Sequence, residues 1–366
     1  MKATSRRVVV TRHGGPEVLD TIEEEIPEPA PGEARVRVLA AGVSAYDLMF
    51  RRSGRLPGTP RVPFTLGVDV VGVVDEVRPP EPMDPAGHAG LGPVSGLEPG
   101  QVVAGATFSR GSRGGYAEYV CLPAADLVPV PADVDPAEAV CLVVNYLTAA
   151  AMLQFPGNVR AGERVLVHGA AGGVGSALVQ LGRLLDLDVF ATASAHNCDL
   201  VSGLGAVAID YRNEDFVARI RTLTGGAQGG VQGVDVVFDP VGGAYQLWRD
   251  YQTLRPGGRL VWFGVAATRE HGLGVIPPTL AMRSFLALIP DGRRAPLPPD
   301  LEKLGNAWYR DTLSALLALL AAGHVRPLVA GRIPLSQASR AHELLELGGH
   351  AGKFVLVPER WSAEVS

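Results

Sequence analysis

Residues Leu166–Leu185 read LVHGAAGGVGSALVQLGRLL, and within them Ala170-x-Gly172-x-x-Gly175 has the spacing of a nucleotide-binding turn. Ahead of it, ERVLVHG is a β-branched run of the kind that forms a buried strand. Behind it, Val174, Leu178, Leu181, Leu184 and Leu185 recur at helical spacing. A turn of small residues between a strand and a helix lets backbone approach a pyrophosphate, while N–H groups at the helix start face its charge. Ala170, Gly172, Gly173, Val174 and Gly175 are therefore the expected pyrophosphate contacts. Alanine stands at the first of the usual glycine positions, so the motif by itself also fits a tight turn whose glycines serve only packing.

The elements that must carry this turn follow from the rest of the chain. From Arg6 to about Pro131, short β-rich runs alternate with Gly and Pro: RRVVVTR, EARVRVLAAGVS, DVVGVVDEV, QVVAGATF and YAEYVCLP. They predict a barrel-like or sandwich-like β domain, interrupted by an aperiodic, exposed loop at Arg78–Gly100. After Asp135 strands and helices alternate, with RVLVHG, DVFATA, AVAIDY, VDVVFDP, GRLVWFG and SFLALI as the expected strands. That rhythm predicts a doubly wound parallel sheet. Residues 300–323 read as helix, and the strand–helix–strand tail is too small to fold alone, so it is expected to pack on the first domain.

Bulk properties narrow the partners. With 366 residues, 47% hydrophobic and 19% charged, the chain can bury a sizeable core. A net charge of −5 gives no reason to expect nucleic acid or an anionic membrane. Cys121, Cys141 and Cys198 are widely spaced and form no C-x-x-C pair, so each is expected to be a small buried hydrophobe. The N-terminal apolar run is too short for a signal peptide, and AVCLVVNYLTAAAML and LSALLALLAAG fall short of a membrane span. A cytoplasmic protein is expected.

In this order, GGPEVL, AAGVSAYDLMFRRSG, GGYAEYV, AVCLVVNYLTAAAML, VHGAAGGVGSALVQLGR, FDPVGG, LRPGGRLVWFG and GKFVLVP resemble the medium-chain dehydrogenase/reductase superfamily along nearly the whole chain. The branch resembled is that of the zinc-free quinone oxidoreductases, with zeta-crystallin and the vesicle amine transport protein homologues. The resemblance implies an α/β protein: a GroES-like β-barrel catalytic domain from residues 1–133 and 291–366, and a Rossmann domain at 134–290. It further implies an active cleft at their junction and a homodimer.

The expected nucleotide is NADPH. NAD-specific sites usually place Asp or Glu at the end of the second strand, whereas ATASAHN, residues 191–197, has neither. An acid there would repel a 2′-phosphate. Ser194 and His196 can donate hydrogen bonds to that phosphate, and Tyr211, in the family-like IDYR, a third. Asn197 stands where NADPH-using relatives commonly carry lysine. Arg212 is either the substitute cation or a solvated surface arginine.

The resemblance also bears on the chemistry. Zinc-dependent members use a cysteine and a Gly-His-Glu segment where this chain has Ser44 and Gly67-Val68-Asp69, so no catalytic metal is expected. Alcohol oxidation needs an alkoxide stabilised by a Lewis acid, but hydride addition to a quinone or an α,β-unsaturated carbonyl (enone) spreads its charge into the product. A metal-free NADPH-dependent reductase of such small molecules is the leading expectation. An enoyl-thioester reductase of secondary metabolism and a nucleotide-binding protein with little turnover are the alternatives. Hydrolase chemistry lacks a G-x-S-x-G elbow. Ser44 and Ala45 replace the usual Asn-Phe, and Leu56 the usual Tyr. Tyr46 is the candidate phenolic proton donor or a packing tyrosine, and Asp47 its orienting group or a helix cap. Asn145 and Thr148 match positions near the nicotinamide, with bonding inside a buried helix as the other reading. Phe263-Gly264 presents backbone to the carboxamide, and Lys353 approaches the nicotinamide side or forms a surface ion pair.

Overall fold

A computed structural model describes residues 3–53, 59–80, 96–107, 113–225, 232–264, 266 and 272–360. Leu56 and residues 81–95 of the expected Arg78–Gly100 loop lie outside the described residues. The chain divides into two compact units, one of Met1–Leu147 with Gly305–Ser366 and the other of Thr148–Leu304. These limits stand beside the 133/134 and 290/291 boundaries anticipated above.

In the first unit β1 (Thr4–Val10) and β2 (Leu19–Glu25) form an antiparallel pair. β3 (Glu33–Gly42) is the hub of a mixed sheet, pairing with β4 (Asp69–Val77) and β6 (Tyr119–Pro123). β4 continues to β5 (Val102–Ala106), and β5 to the short β7 (Val128–Pro129). Between β3 and β4 lies helix α1 (Ala45–Arg52). Helix α2 (Pro136–Cys141) starts from the Asp135 cap with proline at its first position, where no N–H bond is lost. A π-helical turn, Leu142–Tyr146, leads into α3 (Leu147–Gln154). The run Pro136–Gln154 is long and apolar enough to cross a membrane, contrary to the expectation that it falls short, but 78% of its apolar window is buried inside the protein.

The second unit holds a wholly parallel sheet. Its strands are β8 (Arg164–Val167), β9 (Asp188–Ala193), β10 (Val207–Asp210), β11 (Val234–Asp239) and β12 (Leu254–Trp262), in spatial order β10-β9-β8-β11-β12. Every residue of β11 is buried, as a strand covered on both faces must be. Helices α4 (Gly173–Leu184), α5 (Ala195–Gly203), α6 (Phe216–Thr224) and α7 (Ala244–Thr253) are interleaved with the strands. The winding runs from β8 through β9 to β10 on one side, then resumes at β11 on the other. The turn after β8 therefore sits at the topological switch point, where ligands of such sheets bind.

SFLALI, expected as a strand, is instead largely helical: Ser284–Ala287 end helix α8 (Ile276–Ala287). Leu286 is fully buried while its neighbour Phe285 is 54% exposed, the one-sided burial of a helix. A short apolar run does not distinguish the two, and Pro277-Pro278 at the helix start decides it. The chain then returns to the first unit through α9 (Asn306–Ala321), which buries Leu313, Leu316, Leu317 and Leu320 on one stripe. β13 (Val329–Pro334), α10 (Ala338–Leu347) and β14 (Lys353–Val357) follow, and β14 joins the edge of β3. Of the cysteines only Cys141 is buried; Cys121 and Cys198 are half-buried.

Two glycines give opposite expectations for stability. A Cβ at Gly175 would sit 2.2 Å from the Gly169 carbonyl oxygen, whereas one at Gly203 meets nothing within 4 Å. Gly175→Ala is expected to lower stability by about 1–3 kcal/mol, and Gly203→Ala to raise it by about 0.4–1 kcal/mol. Urea denaturation of the two variants checks both signs.

Candidate functional site

The nucleotide cradle in the second unit is built by the strand–turn–helix predicted around Gly172. β8 ends at Val167, and His168 and Gly169 follow, the latter at φ 62°, where glycine is favoured. Ala170 is fully buried and Gly172 is the N-cap of α4. Its φ of −74° is ordinary, and a Cβ there would meet only the Gly169 oxygen, at 3.3 Å. Gly175, by contrast, is required by the close approach of α4 to the turn. Gly172 has no side chain to cap the helix, so the first turn, with Gly173, Val174 and Gly175, keeps its backbone donors without a side-chain cap. That end carries the positive pole of a 12-residue helix.

The second group of expected contacts gathers at the carboxyl ends of β9 and β10, which pair in register with Ala193 opposite Asp210. Ser194 caps α5 by position and makes no side-chain cap bond. The buried Asn197 donates to Ser194 Oγ (3.4 Å), and the exposed His196 Nε2 lies 3.4 Å from the same oxygen. Across the strand pair, Tyr211 N–H donates to Ala193 O (3.3 Å), and the Tyr211 ring is half-exposed with Arg212 alongside. Five expected residues thus converge around two strand ends. Asp210, not foreseen, adds a negative charge there, but it accepts from Arg212 N–H (3.1 Å) and Asn213 Nδ2 (2.6 Å). Phe263 follows β12 and donates its N–H to Asp239 O (2.9 Å). Gly264 lies so close to Pro240 that a Cβ would reach the Pro240 oxygen at 2.4 Å. Thr148 is half-buried in the first turn of α3.

The first unit holds the remaining expected residues. Ser44 and Asp47 form a reciprocal capping box at the start of α1. Ser44 Oγ–H donates to Asp47 Oδ2 (2.6 Å), Ser44 N–H to the same oxygen (2.7 Å), and Gly67 N–H to Asp47 Oδ1 (2.9 Å). The hydroxyl proton of Ser44 is therefore committed to Asp47. Burial drives the Asp47 carboxyl up to about 6, against the lowering effect of the Ser44 and Gly67 donors. Tyr46, one residue from this box, is 54% exposed, its ring 6.1 Å from that of Phe50. Asn145 is buried in the π-helical turn, a kind of distortion frequent at functional sites.

Lys353 is not in a surface ion pair. At the start of β14 it is 3% exposed, and its Nζ lies 2.8 Å from Oδ2 of the fully buried Asp69. The pair is packed over Gly42, where a Cβ would come within 2.0 Å of Lys353 Cε. Behind α1, buried Arg51 is paired with Glu346 and lies 3.2 Å from His342 Nδ1. His342 Nε2 in turn lies 3.1 Å from the Tyr116 hydroxyl. Burial and the neighbouring Arg51 and Arg52 pull the His342 pKa down to about 3, so this histidine is neutral. Among the described residues no group of three or more His, Cys, Asp or Glu side chains is arranged to hold a metal ion.

Residues 30–132 match the family model of the alcohol dehydrogenase GroES-like domain, and 204–356 match that of the zinc-binding dehydrogenase. The chain is 32% identical to the rat (Rattus norvegicus) synaptic vesicle membrane protein VAT-1 homolog, over 91% of this chain and 78% of that one. It is 31% identical to the rat quinone oxidoreductase, over 96% and 97%. The crystal structure of the Escherichia coli quinone oxidoreductase complexed with NADPH superposes with a TM-score of 0.79 at 27% identity, covering 96% of this chain and all of that one. The chain belongs to the zinc-free quinone oxidoreductase branch of the medium-chain dehydrogenase/reductase superfamily.

This oxidoreductase therefore has the two-domain fold of its superfamily, a GroES-like unit and a Rossmann-like unit with a parallel sheet. Sequence reading missed three features of it. In sequence Asp69 is only the end of an altered metal segment, whereas in the structure it is the buried partner of Lys353. His168 belongs to the run RVLVHG, and Asp239 to FDPVGG. Asp239 in fact accepts from Val241 N–H (2.7 Å) and Gly242 N–H (2.9 Å), and burial and Asp250 raise its carboxyl to about 7. The one signal available was a polar residue inside each otherwise apolar strand end.

Two outcomes test these buried charges. Lys353→Met strands Asp69 without its cation and should cost about 3–5 kcal/mol of stability, much of it recovered in the Asp69→Asn/Lys353→Met double variant. For Asp47, a folded pKa above the unfolded value means that the folded state binds the extra proton. Its contribution to stability is then present at pH 4 and lost as pH rises through about 6. Asp47→Asn should remove that slope from the pH dependence of chemical unfolding.

Proposed function

We propose that this chain is an NADPH-dependent reductase that delivers hydride to a quinone or an α,β-unsaturated carbonyl without a metal. The observation that carries the cofactor assignment is the uncapped start of α4, set on a turn too narrow for a side chain at residue 175. The absence of an acid at the end of β9, beside the Ser194, Tyr211 and Arg212 donors, supports NADPH over NADH. The NADPH bound to the Escherichia coli relative and the name of the rat relative support the same reading.

Bound NADPH would supply a hydride; the chain's own groups bind, orient and protonate. The α4 start and the 170–175 turn hold the pyrophosphate. Ser194, His196, Tyr211 and Arg212 hold the 2′-phosphate, with Asn197 steadying Ser194. On the family resemblance, Asn145, Thr148, the Phe263–Gly264 backbone and Lys353 are assigned to the nicotinamide end. On the substrate, charge spreads into an enolate or hydroquinone, which a hydrogen-bond donor suffices to steady. The half-exposed phenol of Tyr46 is that donor. Ser44 and Asp47 act behind it by fixing the start of α1, since the Ser44 proton already belongs to Asp47.

The deciding experiment is NADPH oxidation against a panel of quinones, enones and enoyl thioesters, with NADH as control. Turnover with one class names the substrate. Tight binding without turnover would replace the reductase by a nucleotide-binding protein. Gly172→Val adds a Cβ whose one neighbour within 4 Å is the Gly169 oxygen, at 3.3 Å, so a folded variant should lose NADPH binding, and unchanged affinity would refute the cradle. Tyr46→Phe should slow turnover about 100-fold or more, and EDTA should leave the rate unchanged.

A further inference from the structure

His168 belongs to none of the contacts assigned above, yet it sits directly beneath them. It is the first residue after β8 and leads into the glycine turn, and its N–H donates to Phe238 O of β11 (3.0 Å). The ring is buried, edge-on to Phe216 at the start of α6 with centroids 4.9 Å apart. Its Nδ1 lies 2.9 Å from Thr192 Oγ1, on β9 two residues before Ser194. Its Nε2 lies 2.9 Å from Asp250 Oδ1, on α7. One side chain therefore touches β9, α6 and α7 while its backbone is tied to β11.

We propose that His168 is a positioning residue of the nucleotide site, whose hydrogen bond to Thr192 sets the 169–175 turn at a fixed offset from the Ser194–Asn197 segment. The inference rests on the NADPH reading, in which the turn holds the pyrophosphate and the segment holds the 2′-phosphate of the same ligand. The two groups are joined through a single ribose, and a ligand of such short reach meets both at full strength only if their separation is held closely. A backbone bond from Ala170 N–H to Thr192 O (3.1 Å) ties the same two segments, so the side-chain bond adds a second, rotationally restrictive tie. Apolar side chains of the same size would fill this space without the cost of burying polar groups. What they lack is a directional contact of fixed length.

The contact survives a change of protonation. Asp250 faces Nε2, Asp239 approaches from the end of β11, and Arg249 of α7 lies over the Phe216 ring at 4.4 Å. A carboxylate accepts only, so the Asp250 side favours a proton on Nε2. Nδ1 then donates to Thr192 Oγ1 when the ring is charged and accepts from the hydroxyl when it is neutral. His168 thus acts as a clamp, with the Thr192 hydroxyl reversing its role.

The test measures NADPH and NADH dissociation constants of the full chain by fluorescence titration, with thermal unfolding alongside. Thr192→Val keeps the shape and removes the hydroxyl. It should weaken NADPH about tenfold, equivalent to about 1.4 kcal/mol, and NADH less, because the 2′-phosphate contacts are the ones displaced. Thr192→Ser restores the hydroxyl and should bind both nucleotides as wild type does. Unchanged NADPH affinity in Thr192→Val overturns the proposal, as does an equal loss for both nucleotides, which a purely structural role would give. A tenfold loss of NADPH affinity in Thr192→Ser also overturns it. Wild-type protein that binds neither nucleotide would instead sink the NADPH reading on which the clamp is built.

Discussion

The second unit depends on one close approach. Helix α4 lies so near the turn after β8 that the Gly169 carbonyl occupies the space a Cβ on residue 175 would need. Only a glycine there lets the helix start sit at the sheet's carboxyl edge, with its positive pole outside the switch point between β8 and β11. The N-cap glycine leaves that pole without an internal acceptor from a side chain. A helix end of this kind favours an anion supplied from outside. Beside it, β9 and β10 end next to each other and bring Ser194, His196, Asn197, Tyr211 and Arg212 into one patch.

The first unit is organised around charges held away from water. Asp47, Asp69, Arg51 and Lys353 are all buried, and each is met by a partner or by backbone donors. Ion pairs in such surroundings contribute little net stability, because desolvation offsets their attraction. They do impose geometry. Asp47 joins the start of α1 to Gly67, and Arg51 joins its end to α10 through Glu346 and His342. The helix that carries Tyr46 is thus fixed at both ends. The same bonding commits the hydroxyl proton of Ser44, a plausible donor on its chemistry alone, to Asp47.

Local pattern and long-range pairing contributed differently. The strand, glycine turn and helix of 164–184 were legible because periodicity and glycine spacing are properties of adjacent residues, and the parallel sheet followed from their repetition. The missing acid after β9 was readable for the same reason. SFLALI misled because a short apolar run carries no period of its own, and it closes a helix with Pro277-Pro278 at its start, with only Leu286 of Ser284–Leu288 buried. The partners of His168 are 24 and 82 residues away, and Lys353 meets Asp69 across 284 residues.

By itself, then, the sequence determined the α/β class, the family, the place of the nucleotide turn and the absence of an acid at the second strand. These reside in residue type and short spacing, which survive without a folded chain. Only the tertiary structure decided that Ser44 gives its proton to Asp47, that Lys353 is buried, and that His168 lies within hydrogen-bond distance of Thr192. Each depends on where folding places atoms that are distant along the chain or that compete for the same donor. Hydrogen bonds and ion pairs act over a few ångströms, and sequence spacing does not measure that distance.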